Sequence, residues 1–170
     1  MSNALRFPPA DPATAAAFFA AELAFETDPD DVARDLAAGT ATGYLLVETR
    51  SAERFAELRV PGAINLPHPE ISAETTADWD RDLVYVCYCE SAQCNAATKG
   101  ALKLAELGFR VKRLSGGITA WHAAGFPVEG DAVERAGATA AGNAAAGSAA
   151  AGGAAPGGAA GQAPVIACGC

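Results

Sequence analysis

The chain has 170 residues, of which 51% are hydrophobic, and a formal net charge of −8. This length accommodates one domain with appended segments, and the acidic charge excludes nucleic acid and anionic lipid as main partners, because both are bound through clustered Lys and Arg. We expect no secretion signal in this sequence. It has no run approaching the roughly 18 to 20 uncharged apolar residues that a membrane-spanning helix needs, so we also expect a cytoplasmic protein that acts on small molecules or proteins.

The N-terminal part of the chain carries two helix starts. Asp11 supplies an N-cap oxygen and is followed by a proline, whose missing N–H is harmless at the first helical position. The segment DPDDVARDLAAG has acids in its first turn and Gly39 after its end, as helix-dipole and C-cap chemistry favour. We assign residues 1–42 to a helical extension that packs on the domain, with Phe18 and Phe19 as an alternative contact for a homodimer.

Short strand-like runs then alternate with helical patterns. YLLVE (44–48) and LVYVCY (83–88) are nearly continuous apolar runs, which is typical of strands buried on both faces of a parallel sheet. VKRL (111–114) is a third strand candidate. Helices are predicted for NAATKGALKLAELGF, whose apolar residues recur at helical spacing, and for GGITAWHAAGFP, which glycine and proline end. This alternation predicts an α/β domain.

From residue 131 onward the composition changes to mostly Ala and Gly. Such a segment cannot bury enough apolar surface to offset the entropy that it would lose on ordering. We therefore predict a flexible, disordered tail over residues 131–170. It ends in Cys168 and Cys170, which are its only reactive groups.

Three of the five cysteines lie close together in the segment YVCYCESAQCN. Cys87 is inside a predicted strand, where a cysteine is usually a small buried hydrophobic residue. Cys89 stands at the carboxyl end of that strand, where chemistry gathers in parallel sheets. A loop and a helix start follow it, and we expect their N–H groups to form an anion cradle and to lower the pKa of this thiol. Cys89 is therefore the candidate nucleophile.

A metal site and a disulfide are the alternatives for these cysteines. Structural zinc requires four ligands, the Cys-x-Cys-x4-Cys spacing supplies three, and His68 and His122 are distant in the sequence. We therefore expect no metal in the domain, and no cofactor. A disulfide between Cys89 and Cys94 is sterically feasible, and in the cytosol it would be a transient redox step rather than a structural bridge.

Three motifs, in order along the chain, give the sequence a resemblance to a known family. Residues 48–50 (ETR) correspond to an Asp-x-Arg motif, residues 61–65 (PGAIN) to Pro-Gly-Ala-Ile-Asn, and residues 116–121 (GGITAW) to Gly-Gly-x-x-x-Trp. Together they resemble the rhodanese-like (sulfurtransferase) family over residues 43–130. The resemblance implies a three-layer α/β sandwich with a five-stranded parallel sheet between helices, and a cysteine, here Cys89, that carries a sulfane sulfur as a persulfide.

The active-site loop that the resemblance implies departs from a common family pattern. Members that use thiosulfate often carry Arg or Lys in this loop, because a dianionic donor needs countercharge. The loop here has no cation, which argues against thiosulfate and fits a subset of the family with a Cys-x4-Cys-Asn loop, for which we expect persulfide or low-molecular-weight thiol partners. A related phosphatase branch has Arg six residues after its cysteine, where this chain has Asn. The loop residues are Glu90, Ser91, Ala92, Gln93, Cys94 and Asn95.

The expected reaction is transfer of a sulfane sulfur from a persulfide donor through Cys89 to a thiol acceptor. Cys94 is either a resolving thiol or simply a small residue at the helix start. Cys168 and Cys170 are either a relay that collects sulfur from Cys89, a site for a soft metal such as Cu(I), or residues without a role.

Two residues of the family motifs are expected to act structurally near the site. Arg50 is expected to form an internal ion pair or hydrogen bonds that fix the loop, and Trp121 to pack beneath it.

The alternative function is a non-enzymatic module, in which Cys89 and Cys94 sense redox state or the C-terminal cysteines bind a soft metal. Catalytic turnover would separate the two functions.

Overall fold

The computed structural model of the protein describes residues 2–133 and 135, so the predicted relay pair, Cys168 and Cys170, lies outside the described residues. The helices are α1 (Pro12–Phe25), α2 (Pro29–Ala38), α3 (Ala52–Glu57), α4 (Ala96–Glu106) and α5 (Gly117–Ala123), with short 3-10 helices at Asn3–Leu5 and His68–Glu70. The strands are β1 (Glu26–Thr27), β2 (Tyr44–Glu48), β3 (Ile64–Asn65), β4 (Val84–Tyr88) and β5 (Arg110–Leu114). Within the described part of the chain, no helix combines the length and apolar character needed to cross a membrane.

The five strands form one parallel sheet in the order β1-β5-β4-β2-β3. The central strands β2 and β4 are in register along their whole length, from Tyr44 opposite Val84 to Glu48 opposite Tyr88. The edge strands β1 and β3 are two residues long. The five-stranded parallel sheet implied by the family resemblance is therefore confirmed, although the two edge strands are too short for residue patterns to predict.

Helices cover both faces of the sheet and make three layers. On one face, Leu46 and Val86 of the central strands cluster with Val32 of α2 and with Ile118 and Trp121 of α5. On the other face, a second cluster joins strand side chains to α4, and its buried members are Val47, Ile71, Tyr85, Cys87, Cys89, Ala97, Leu104 and Phe109. Because both faces are covered, β2 and β4 are apolar along nearly their whole length.

The two N-terminal helices differ in how they meet the sheet. Asp11 caps α1 by accepting hydrogen bonds from the N–H groups of Ala13 and Thr14, and Gly39 ends α2 in the left-handed conformation, as predicted. Helix α2 contributes the buried Val32 to the core, whereas α1 buries none of its residues and its two adjacent phenylalanines are exposed. Of the predicted extension, α2 and β1 are thus integrated into the domain.

Candidate active site

Cys89 directly follows β4, at the carboxyl edge of the sheet. Because β4 lies between β2 and β5, the loop of residues 89–95 is flanked by two neighbouring strand ends before α4 begins at Ala96. Such an edge is the usual place for ligands in open α/β sheets. Two residues earlier, Cys87 is fully buried and burial raises its pKa to about 12. It is a core residue, as predicted.

The start of α5 holds the loop through backbone contacts. The N–H of Ile118 donates to the Cys89 carbonyl at 2.9 Å, and the N–H of Thr119 donates to the Glu90 carbonyl at 3.0 Å. Gly117 makes this approach feasible, because it has a φ of +60° and a Cβ at this position would lie 2.3 Å from the Cys89 carbonyl oxygen. Gly117 of the third motif therefore allows α5 to approach the loop closely.

The Cys89 side chain is almost completely buried. Cys89 is 2% exposed, and its S–H donates to the Cys94 carbonyl at 3.2 Å. Burial, the largest influence, raises the pKa of Cys89, although the N–H groups of Ala97 and Ser91 oppose this. The predicted lowering of the Cys89 pKa is therefore wrong. The N–H groups that the sequence implies are present, but the loss of hydration outweighs them.

Cys94 differs from Cys89 in the direction of its pKa shift. Cys94 is half-buried, and burial acts to raise its pKa. The N–H groups of Ala96 and Glu90 and the neighbouring Cys89 thiol outweigh that influence, so that the pKa of Cys94 is lowered overall.

A network around Arg50 supports the loop from its other side. The guanidinium of Arg50 donates to the carboxylate of Glu48, which is fully buried, to the carboxylate of Glu90 at 2.6 Å, and to the carbonyl of Leu58 at 2.7 Å. Burial raises the pKa of Glu48, while hydrogen bonds from Arg50 and Tyr88 oppose that shift. Arg50 therefore ties the loop to β2.

A cavity of about 180 Å³ opens at the candidate nucleophile. Of the predicted loop residues, Ser91, Ala92 and Cys94 line it, whereas Glu90, Gln93 and Asn95 do not; Arg50 and Trp121 do not line it either. The full lining is Glu26, Cys89, Ser91, Ala92, Cys94, Ala97, Arg113, Leu114, Ser115, Gly116 and Gly117. The cavity is thus formed by the loop, the starts of α4 and α5, and the neighbouring residues of β1 and β5.

The cavity wall holds two charged residues that the sequence analysis does not identify. Arg113 donates to the carboxylate of Glu26, its cross-strand partner, and to the Thr98 hydroxyl at 2.8 Å. The Ser115 hydroxyl donates to the second oxygen of the Glu26 carboxylate. The sequence could have indicated Arg113 as a site residue, because it stands just before the end of a predicted strand. Glu26 could not be placed at the site in this way, because strand β1, which carries it, was not predicted.

The histidines lie away from this cavity. His68 and His122 do not line it, and Lys103 donates to the His68 backbone carbonyl at 2.8 Å. Burial, followed by the charges of Lys99 and Lys103, lowers the pKa of His68. Residues 2–133 and 135 contain no group of three or more His, Cys, Asp or Glu side chains that could hold a metal ion.

Comparison with known proteins places the chain among related sequences and structures. The rhodanese-like domain family matches residues 28–124, a span that includes α2. The thiosulfate sulfurtransferase GlpE of Shewanella oneidensis is 38% identical over 86 residues, which are 49% of this chain and 81% of that protein. An HTH-type transcriptional regulator of Mycobacterium tuberculosis is 39% identical over 87 residues, which are 49% of this chain but 37% of the regulator.

Among solved structures, the BH2092 protein of Bacillus halodurans is similar, with a TM-score of 0.69 and 38% sequence identity. The superposition covers 72% of this chain and 88% of that one. This chain spans well under half the length of the mycobacterial regulator.

Proposed function

Since the chain belongs to the rhodanese-like domain family, we propose that it is a sulfurtransferase, which moves a sulfane sulfur through a persulfide on Cys89 to a thiol acceptor. One observation carries this proposal: the Cys89 thiol lies at the carboxyl end of β4, lines a small cavity, and interacts with the backbone N–H groups of Ser91 in the loop and Ala97 in α4. A thiol in that position can form a covalent intermediate that divides one transfer into two steps.

In the first proposed step, the Cys89 thiolate attacks the outer sulfur of a donor persulfide. The bond between the two donor sulfurs breaks, the donor leaves as a thiolate, and Cys89 carries the hydropersulfide. No external oxidant is needed, because the Cys89 sulfur is oxidised to the persulfide level as the inner sulfur of the donor is reduced to a thiolate. The N–H groups of Ala97 and Ser91 favour the charged form of Cys89 against the effect of burial.

We propose a persulfide rather than thiosulfate as the donor. The loop itself has no cation, and Glu90 contributes a carboxylate next to Cys89. The one arginine on the cavity wall, Arg113, is paired with Glu26, so the wall has no excess positive charge for a dianion. The related GlpE protein is named a thiosulfate sulfurtransferase, which makes the donor the first property to test.

The test is the intact mass of the reduced protein after separate exposure to thiosulfate and to a small-molecule persulfide, with peptide mapping of the modified cysteine. We expect one added sulfur on Cys89 from the persulfide and none from thiosulfate. Cys89→Ser should abolish the addition, and the matched control Cys94→Ser should keep it. An added sulfur that persists in Cys89→Ser contradicts the proposed nucleophile, and efficient loading from thiosulfate contradicts the proposed donor.

A second candidate function is a thiol-based sensing module, and the lowered pKa of Cys94 beside Cys89 favours it. The Cys94 thiolate would attack the inner sulfur of the Cys89 persulfide, form a disulfide and release hydrosulfide. The match to part of a transcriptional regulator is consistent with such a role. Without an added thiol, wild type would then release hydrosulfide in a stoichiometric burst that Cys94→Ser lacks. Continued turnover with excess thiol would instead support the transferase.

A further inference from the structure

The cavity at Cys89 has one wall that carries a fixed cation and a fixed anion. Arg113 and Glu26 are paired across β5 and β1, and both line the cavity. The hydrogen bond from Ser115, together with the hydrogen bond and the charge of Arg113, holds the pKa of Glu26 below its usual range against the opposing effect of burial. Glu26 is therefore an anion at neutral pH, and the wall presents both signs of charge.

Both charged groups line the cavity and retain unused hydrogen-bonding capacity. A guanidinium has five N–H donors, and the contacts of Arg113 with Glu26 and Thr98 engage two of them. Each carboxylate oxygen has two lone pairs, and those of Glu26 accept from Arg113 and Ser115. Both side chains are also partly exposed, with 42% of Arg113 and 27% of Glu26 accessible. A ligand can thus be added to the pair without breaking it.

The size of the cavity limits the ligand. Its volume of about 180 Å³ is below the roughly 300–1,000 Å³ of pockets that enclose drug-sized molecules. A small thiol fits this space with its sulfur near Cys89, whereas a peptide-sized thiol would place most of its atoms outside.

We propose that the sulfur acceptor is a small thiol carrying both a carboxylate and an ammonium group, that is, an amino-acid thiol, with its carboxylate facing Arg113 and its ammonium facing Glu26. This inference rests on the proposed sulfurtransferase function and adds the class of acceptor. A zwitterion matches a wall that is neutral overall, whereas an acceptor with a single charge meets one attractive and one repulsive group.

The transfer step conserves atoms and charge. The acceptor thiolate attacks the outer sulfur of the Cys89 hydropersulfide. The bond between the two persulfide sulfurs breaks, Cys89 departs as a thiolate, and the acceptor becomes a hydropersulfide. No oxidant or reductant is consumed.

The experiment loads Cys89 with a small-molecule persulfide, removes the excess, and measures the rate constant for unloading by four thiols. These are cysteine (zwitterion), 3-mercaptopropionate (anion), cysteamine (cation) and 2-mercaptoethanol (neutral). Each rate constant is corrected for the fraction of the thiol that is ionised. The variants are Arg113→Gln and Glu26→Gln. Arg110→Gln is the matched control, because it removes the same charge from the exposed start of β5, outside the cavity.

We expect cysteine to be the fastest acceptor of the wild type. Arg113→Gln should slow unloading by cysteine and 3-mercaptopropionate about tenfold, the size expected for one hydrogen bond to a charged group. Glu26→Gln should slow unloading by cysteine and by cysteamine to a similar extent. Neither variant should slow unloading by 2-mercaptoethanol, and Arg110→Gln should leave all four unloading rates unchanged.

A parallel fall of all four rates in Arg113→Gln would mean that the pair is only structural, and would overturn the inference. Equal wild-type rates for the four thiols would overturn it as well. Failure of Cys89 to accept sulfur at all is a separate result, which contradicts the proposed function before the acceptor series begins.

Discussion

Two carboxylate–guanidinium pairs flank the same cysteine loop, and they differ in burial. In the pair from β2, Glu48 is 0% and Arg50 9% exposed, whereas in the pair between β1 and β5, Glu26 is 27% and Arg113 42% exposed. Arg50 directs its remaining donors to the loop and to backbone carbonyls, while Arg113 lies on the cavity wall. The buried carboxylate–guanidinium pair thus supports the loop, whereas the partly exposed pair is available to a ligand.

The largest expected effect follows from breaking the buried pair. Arg50→Met leaves the Glu48 carboxylate buried without its partner, and we expect the free energy of unfolding to fall by about 3–5 kcal/mol. Urea denaturation measures this change. Arg54→Met is the matched control, because the pair of Arg54 with Glu57 is exposed and worth less than about 1 kcal/mol. Equal losses in the two variants would remove the distinction between the buried and the exposed pair.

The next effect concerns the second support of the loop, at the start of α5. Gly117→Ala adds a Cβ 2.3 Å from the Cys89 carbonyl oxygen at a positive φ, and we expect a loss of about 2–4 kcal/mol together with slower sulfur loading of Cys89. Gly125→Ala isolates the backbone strain, because Gly125 also has a positive φ but no atom within 4 Å of the added Cβ. If both variants load sulfur at the same rate, the α5 contact does not position the loop.

Breaking the exposed pair should have a small effect on stability. Because Glu26 and Arg113 are partly exposed, we expect Glu26→Gln to change the free energy of unfolding by less than about 1 kcal/mol. Urea denaturation under the conditions used for Arg50→Met makes the two pairs directly comparable. A loss as large as that of Arg50→Met would show that the exposed pair is a structural element rather than a part of the cavity wall.

The smallest expected effect is a difference in pH dependence, and it has opposite signs for the two carboxylates. The pKa of Glu48 is raised, chiefly by burial, so its contribution to stability falls as pH rises above the unfolded value of about 4.3. The pKa of Glu26 is lowered, chiefly by the Ser115 hydrogen bond, so its contribution is present above that value and is lost as pH falls below it.

Denaturation of Glu48→Gln and Glu26→Gln between pH 3 and pH 7 tests both signs. Relative to wild type, Glu48→Gln should gain stability as pH rises, and Glu26→Gln should lose it. If the free energy of unfolding relative to wild type changed with pH in the same direction for both variants, the assignment of one carboxylate to the core and the other to the cavity wall would be contradicted.

Local patterns in the sequence were sufficient to predict many features of this fold. The cap at Asp11, the helix end at Gly39 and the burial of Cys87 each depend on a few neighbouring residues and were all predictable. The sheet order and the three layers were predictable only through the resemblance to a family, because the two-residue edge strands carry no periodic pattern.

Features that depend on distant residues were not predictable from local patterns. Glu26 and Arg113 are 87 positions apart, and only the pairing of β1 with β5 brings them to the cavity. The direction of the Cys89 pKa shift was also missed, since it depends on how completely the surrounding elements exclude water. A loop followed by a helix start indicates that N–H groups are present, but not how well the thiol is hydrated.

The backbone contact between α5 and the cysteine loop also makes the amide protons of Ile118 and Thr119 reporters of motion. Each is hydrogen-bonded to a loop carbonyl, of Cys89 and Glu90 respectively, so each exchanges with deuterium only when α5 and the loop separate. The exchange rates of these two amides therefore measure how often α5 and the loop separate.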